Sequence, residues 1–361
     1  MKTANVLNLR NIKVVDLFCG VGGLTHGLKL EGFNVTAGVD NDESCRYAFE
    51  KNNESTFIHR DIAKFSSKEL QDLYVGSPIR VLIGCAPCQP FSSLNKNKSA
   101  YKVRDDRWEP LYKFMKLIKE VRPEVVSMEN VADLSNDKKY PVFTKFIQTL
   151  KKEGYHISYR VVDASRYGVP QRRKRLVLLA SLLGDISLVP ETHNEDNLVT
   201  VRDVIGKLPR LEDGQINHKD PMHRASRLSD LNKKRIKATP KNGGSVKDWP
   251  TNLVPDCYKR GSGQSFMSSV YGRMRWNEPA PTMTTHCVTL GTGRYGHPTQ
   301  NRAISLREAA LFQGFPDYYQ FEEPHKISTT KIAKQIGNAV PVLLGQVIAR
   351  SIKKHLKEHL A

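Results

Sequence analysis

No stretch of the 361-residue chain stays apolar for the roughly 18 residues that a membrane-crossing helix needs. The opening segment, MKTANVLNLRNIKVVDLF, lacks the unbroken apolar core of a signal peptide, because Asn, Arg and Lys interrupt it. A soluble, intracellular protein with no membrane partner is expected. Cysteine is sparse: six residues, at 19, 45, 85, 88, 257 and 287, scattered among small and apolar neighbours. That excludes the dense disulfide framework of a small secreted domain and fits the reduced thiols of a cytoplasm. Acidic residues are also short, 37 against 56 Lys+Arg, for a formal net charge of +19. Such an excess calls for a polyanionic partner, usually nucleic acid. It is concentrated, since residues 201–280 hold sixteen Lys/Arg and eight Asp/Glu. No repeat of solenoid period is present, and a hydrophobic fraction of 39% still permits a sizeable core.

What is present is alternation. Residues 13–18, 34–40, 57–62, 80–85, 124–130, 157–164 and 175–182 are short, β-branched runs bounded by turn residues, and they read as strands. Between them, LYKFMKLIKEV aligns Leu111, Met115, Ile118 and Val121, and VFTKFIQTLKK aligns Val142, Phe146 and Leu150, each near one helical face. Alternating strands and helices predict an α/β fold with a doubly wound, mostly parallel sheet. The pattern changes near residue 190. Residues 190–270 are polar, basic and without sustained period, which predicts a second, smaller, irregular domain seeded by Trp249, Leu253, Tyr258 and Phe266. Helical periodicity resumes in SLREAALFQGFP, residues 305–316. The C-terminal PVLLGQVIARSIKKHLKEHL reads as an amphipathic helix with Pro341 at its start, returning to the first domain.

Four constellations carry chemistry. In DLFCGVGG, residues 16–23, a strand runs into a glycine-rich turn and a helix; Gly20, Gly22 and Gly23 allow tight turning and close approach of a ligand. Asp40, seventeen residues after Gly23, ends the next strand, where a carboxylate would accept from a ribose diol. The dinucleotide spacing G-x-G-x-x-G is missing, so a nucleoside on a smaller tail, such as S-adenosyl-L-methionine, fits better than a nicotinamide dinucleotide. Asp61, near the end of the third strand, is a candidate for an adenine amino group. In GCAPCQPFSS, Cys85 and Cys88 share a C-x-x-C spacing at the carboxyl edge of the sheet. A redox pair should open a helix directly, but Pro90 and a polar stretch follow. A zinc site needs a second ligand pair, and Cys257 and Cys287 lie thirty residues apart, so no metal is expected. A single nucleophile remains, with Pro87 presenting Cys88 on a rigid turn. SMENV ends a strand in Glu129. VPQRRKRLVLL spaces Arg173 and Arg175 two apart, expected on one side of an extended segment.

Taken in order, DLFCGVGG, GCAPCQPFS, ENV, QRRKR and the late QIGNAVP (335–341), with RMRWNEPAPTMTT and LREAALFQGFPDYY, resemble the ordered signature of the DNA cytosine-5 methyltransferases. The resemblance spans about residues 13–182 and 271–345. It implies a Rossmann-like class I methyltransferase domain over 1–190, a target-recognition domain over 191–325 and a returning segment over 326–361. It implies Cys88 as the nucleophile, Glu129 on the base edge of the target cytosine, Arg173 and Arg175 near the same base, and Cys85 as a bystander. Phe18 would lie against the adenine of S-adenosyl-L-methionine, with Gly20, Gly22, Gly23, Asp40 and Asp61 around it. Asn41, Ile62, Pro87, Asn338 and Val340 complete the expected cofactor set. Double-stranded DNA is the implied partner, the base being swung out of the stack. The polar, basic segment 92–107 is expected to close over the DNA. A monomer suffices, and a cognate restriction endonuclease acting separately, in a cytoplasmic, nucleoid-associated setting, would be the companion of such an enzyme. A tRNA cytosine-5 methyltransferase is the near rival, disfavoured by Ser92 where such enzymes resemble each other in a Thr; a catalytically silent DNA-binding protein would have no use for the intact Cys88, Glu129, Arg173 and Arg175.

Overall fold

The computed structural model describes residues 9–87, 108–136, 138–259 and 270–360. Seven strands make one sheet: β1 (Lys13–Leu17), β2 (Asn34–Asp40), β3 (Thr56–His59), β4 (Arg80–Gly84), β5 (Val125–Val131), β6 (His156–Asp163) and β7 (Lys174–Ser181). Their order is β3-β2-β1-β4-β5-β7-β6. The first five run parallel, and β7 is antiparallel to both β5 and β6. Each strand lies within one of the seven expected runs or overlaps it. The third is shorter than its run: pairing stops at His59, and Asp61 instead caps a tight turn by accepting from the Ala63 N–H at 3.0 Å.

Alternation along the strands sorts the core into two faces. Val15, Leu17, Leu82 and Met128 point to one cluster, and Val14, Val35, Val81 and Ile83 to the other. The helices that follow are α1 (Gly23–Leu30), α2 (Arg46–Asn53), α3 (Ser67–Leu73), α4 (Glu109–Val121) and α5 (Pro141–Lys152). Both α4 and α5 carry Pro in the first turn, where its missing N–H costs nothing. Leu111, Phe114, Ile118 and Val121 of α4 and Val142, Phe146 and Leu150 of α5 join the first cluster.

Backbone contacts divide the chain into two compact units. The first comprises Met1–Tyr167, Lys174–Glu191 and Val340–Ala361; the second comprises Gly168–Arg173 and Thr192–Ala339. The expected borders lie at 190/191 and 325/326; backbone contacts group Gly168–Arg173 and residues 326–339 with the second unit.

The second unit carries α6 (Val201–Ile205), α7 (Asp230–Ala238), α8 (Asp256–Lys259), α9 (Leu306–Phe312) and α10 (Thr329–Asn338). Its described residues add only isolated β-bridges. Its small apolar cluster is Leu228, Ile236 and Leu290 with Tyr271 packed against it. Trp249 stands edge-on to Tyr271 at 5.5 Å, its Nε1 donating to Thr239 Oγ1 at 2.8 Å. The other expected seeds differ: Leu253 and Tyr258 are only half-buried, and Phe266 lies outside the described residues. Further apolar residues of this unit are buried, among them Val201, Ile205, Phe312, Phe315, Tyr319 and Ile332, and buried arginines tie the loops between them. Arg273 donates to the carbonyls of Ile236, Thr239, His297 and Gln300, and Arg302 forms a bidentate pair with Glu308 at 2.8 Å for both bonds.

The last helix, α11 (Val342–Leu360), completes the first unit. Leu344, Val347, Ile348, Ile352 and Leu356 cover the Val14 face of the sheet. Thr329–Leu360 contains a window long and apolar enough, by length and composition, to cross a bilayer, but 72% of that window is buried within the protein. Those apolar residues serve a core. Helices α1 and α11 meet closely through glycine: a Cβ on Gly27 would come within 2.5 Å of the Val342 carbonyl oxygen and 2.6 Å of the Gln346 nitrogen. Gly27→Ala is therefore expected to destabilise the protein by about 1–3 kcal/mol through overpacking against backbone, read as a lowered urea midpoint with an unchanged slope.

Candidate active site

The glycine turn follows β1. Phe18 and Gly20 adopt left-handed φ of 61° and 50°, and Gly22, at φ 85°, precedes α1. Two backbone N–H groups fix the turn to the end of β2: Gly20 and Asp42 each donate to one oxygen of Asp40, at 2.8 Å. Burial raises the pKa of the Asp40 carboxyl. A Cβ on Gly20 would meet nothing within 4 Å, so the turn borders open space. Phe18 packs on the α4 face, its ring 6.4 Å from Phe114 and edge-on. Ile62 is buried in the same cluster, while Asp61 is exposed. Asn41 is exposed, and its carbonyl lies 3.1 Å from His59 Nε2. Gly23 opens α1 and is buried. Val340 packs with Val14 and Leu344 on the opposite face of the sheet from Phe18. Asn338 ends α10 of the second unit and is exposed.

One further residue of this turn escaped the sequence reading. Asp16, 1% exposed, receives the Thr25 hydroxyl at 2.7 Å on Oδ2, and its Oδ1 has no hydrogen-bond partner. Burial, with a smaller contribution from Asp40, lifts its pKa from 3.8 to about 7. The D of DLFCG was the available signal. An unpaired buried oxygen, open space over Gly20 and a carboxyl at the end of β2 suit a nucleoside bearing an amino-acid tail, so these residues fit S-adenosylmethionine.

At the next strand ends, register brings three side chains together. β4 and β5 pair with Gly84 opposite Met128, so Cys85 and Glu129 are the next neighbours. β5 and β7 pair Glu129 with Val177 and Val131 with Arg175, placing Arg175 diagonally across from Glu129 on one face. Glu129 is 2% exposed. Cys85 Sγ lies 2.9 Å from its Oε2, and Arg175 Nε lies 3.0 Å from Oε1, an ion pair without hydrogen-bond alignment. Asn130 donates to the Ala86 carbonyl at 3.1 Å, holding the segment that leads to exposed Pro87. Cys88, segment 92–107 and most of KRGSGQSFMSS (residues 260–269) lie outside the described residues.

β7 begins only at Lys174, and Arg173, 4% exposed, belongs to the second unit, where it donates to the Met283, Gly337 and Ala339 carbonyls. Two other cysteines are poorly suited to nucleophilic work, since burial pushes the Cys19 thiol well up and the Cys287 thiol to about 12. No cluster of three metal-ligating side chains occurs among the described residues.

The Asp16 carboxyl sets a pH dependence. Its folded-state pKa lies above the unfolded value, so its stabilising contribution is complete below about pH 3.8 and is lost as pH rises through about 7. Asp16→Asn cannot ionise. Its stability relative to the unsubstituted protein is expected to improve by on the order of 2–4 kcal/mol between pH 4 and pH 8, measured by urea denaturation at each pH.

Residues 12–354 match the family described as C-5 cytosine-specific DNA methylase. The chain is 50% identical over 344 residues to the type II methylase M.HgiDII of Herpetosiphon aurantiacus, covering 95% of this chain and 96% of that one. It is 31% identical to the type II methyltransferase M1.BsuMI of Bacillus subtilis, covering 95% of this chain and 81% of that protein. Among solved structures, an E. coli prophage protein described as a DNA modification methyltransferase aligns with a TM-score of 0.72 at 23% identity, covering 96% and 99% of the two chains. That likeness bears on the fold alone; the family implies S-adenosylmethionine as methyl donor. With motifs, sheet and relatives in agreement, the chain belongs to the C-5 cytosine-specific DNA methylases and is a DNA cytosine-5 methyltransferase of the bacterial type.

Proposed function

We propose that this enzyme methylates C5 of a cytosine extruded from duplex DNA, through covalent attack of Cys88 on C6. The observation that carries this reading is Glu129 Oε1: a buried carboxyl oxygen beside Arg175, without an aligned hydrogen bond, one strand away from the Pro-Cys segment. A buried polar atom left in this state suits a ligand's polar edge. Cytosine C5 is a weak nucleophile until a thiolate adds to C6 and makes it enamine-like. Negative charge then develops at N3 and O2. Glu129 holds N3 by donating from its carboxyl, and Arg175 donates to O2, each where charge appears. S-adenosylmethionine, when bound at the turn of Phe18, Gly20, Asp40 and Asp61, supplies an electrophilic methyl group. Loss of the C5 proton to a base and elimination of the Cys88 thiolate regenerate the enzyme.

The second unit is the part that reads sequence. Its Lys/Arg excess suits phosphate contacts, which position the duplex, leaving base reading to loops such as the one around Ser245 and Trp249. A monomer acts on one duplex in the cytoplasm, at nucleoid DNA, beside a restriction endonuclease of the same specificity.

Tritiated S-adenosylmethionine and mixed-sequence duplexes are expected to yield labelled DNA, with Cys88→Ser slower by roughly a thousandfold. Label confined to tRNA, or equal rates for both proteins, would overturn the reading, and bisulfite sequencing of the product locates the target. Gly20→Val, filling the open space at a left-handed φ, is expected to raise the KM for S-adenosylmethionine roughly tenfold while leaving the KM for DNA unchanged.

A further inference from the structure

Cys85 precedes the Pro-Cys segment and by motif spacing alone has no task. We propose that Cys85 is a positioning residue: its thiol holds the Glu129 carboxyl in the orientation that the methyl-transfer site requires. This rests on the assignment of Glu129 to the target base made above.

Three observations support it. Register makes Cys85 the direct neighbour of Glu129 across two parallel strands, so the contact is built into the backbone. The Sγ–Oε2 separation of 2.9 Å joins the thiol to a carboxyl that is 2% exposed, where water is a poor substitute donor. The two carboxyl oxygens also divide their partners: Oε2 faces the thiol, while Oε1 faces Arg175 in a contact that leaves it hydrogen-bonding capacity. With Oε2 fixed, rotation of the carboxyl about its last torsion is arrested, and Oε1 stays directed at the ligand side. The terminal carboxyl torsion is otherwise broad and soft. The Cys85 backbone is itself tethered, its N–H donating to the Leu17 carbonyl at 3.3 Å, so the thiol acts from a fixed point on the strand edge.

Cys85→Ala removes the donor, and Cys85→Ser keeps one with a shorter reach. Full-length proteins are assayed for methyl transfer from S-adenosylmethionine to unmethylated genomic duplex DNA, with thermal melting of each variant. Cys85→Ala is expected to lower kcat roughly tenfold or more, the effect of one hydrogen bond to a carboxyl, while KM for DNA and donor stay within twofold. Cys85→Ser is expected to recover much of the lost kcat. Unchanged kcat in Cys85→Ala, a loss lying in KM, or a kcat for Cys85→Ser no higher than for Cys85→Ala would each overturn the proposal. Failure of the parent reading looks different: Glu129→Gln then retains full kcat, or the unsubstituted enzyme leaves DNA unlabelled.

Discussion

A carboxyl group withdrawn from water has to be satisfied by fixed partners, and Glu129 imposes that constraint on three strands at once. Among the described residues, the strands paired with β5 are β4 and β7, and the close neighbours of Glu129, Cys85 and Arg175, follow from them. The antiparallel β7 matters here. A strand entering from the opposite direction delivers Arg175 diagonally across from Glu129, and a guanidinium beside a buried carboxyl offsets the desolvation that would otherwise dominate.

The cofactor side obeys a related rule. Asp40 spends both oxygens on backbone N–H groups of Gly20 and Asp42, so the carboxyl at the end of β2 is part of the turn's architecture. Asp16 stands behind that turn with one oxygen held by Thr25 and one unpaired. Burial raises the pKa of each carboxyl, with a smaller push on Asp16 from Asp40 and on Asp40 from Asp42. Such a site is held in tension and is relieved by a ligand carrying positive charge or donors.

Much of this was legible in the sequence, for physical reasons that differ by element. The strands stood out because each is a β-branched run between turn residues, and α4, α5 and α11 because their apolar positions recur on one face. The end of the third strand was misjudged because Asp61 is a local cap, and short-range hydrogen bonding overrode strand propensity. Among the expected seeds of the second core, Trp249 is buried, whereas Leu253 and Tyr258 are only half-buried. The buried Arg273 and the Arg302–Glu308 pair had no signal in hydrophobic periodicity. Cys85 read as a bystander because motif spacing runs along one strand, whereas its contact with Glu129 depends on register between two.

Helix α11 has a consequence for how the protein is made. The apolar face formed by Val14, Val35 and Val81 is covered by side chains that lie some three hundred positions further along the chain. A ribosome releases the sheet strands long before it releases their cover. Throughout that interval a nascent sheet exposes a wide apolar surface to chaperones and to other emerging chains. A premature stop codon just ahead of Val342 would leave every motif intact and still produce a protein that cannot close its interior.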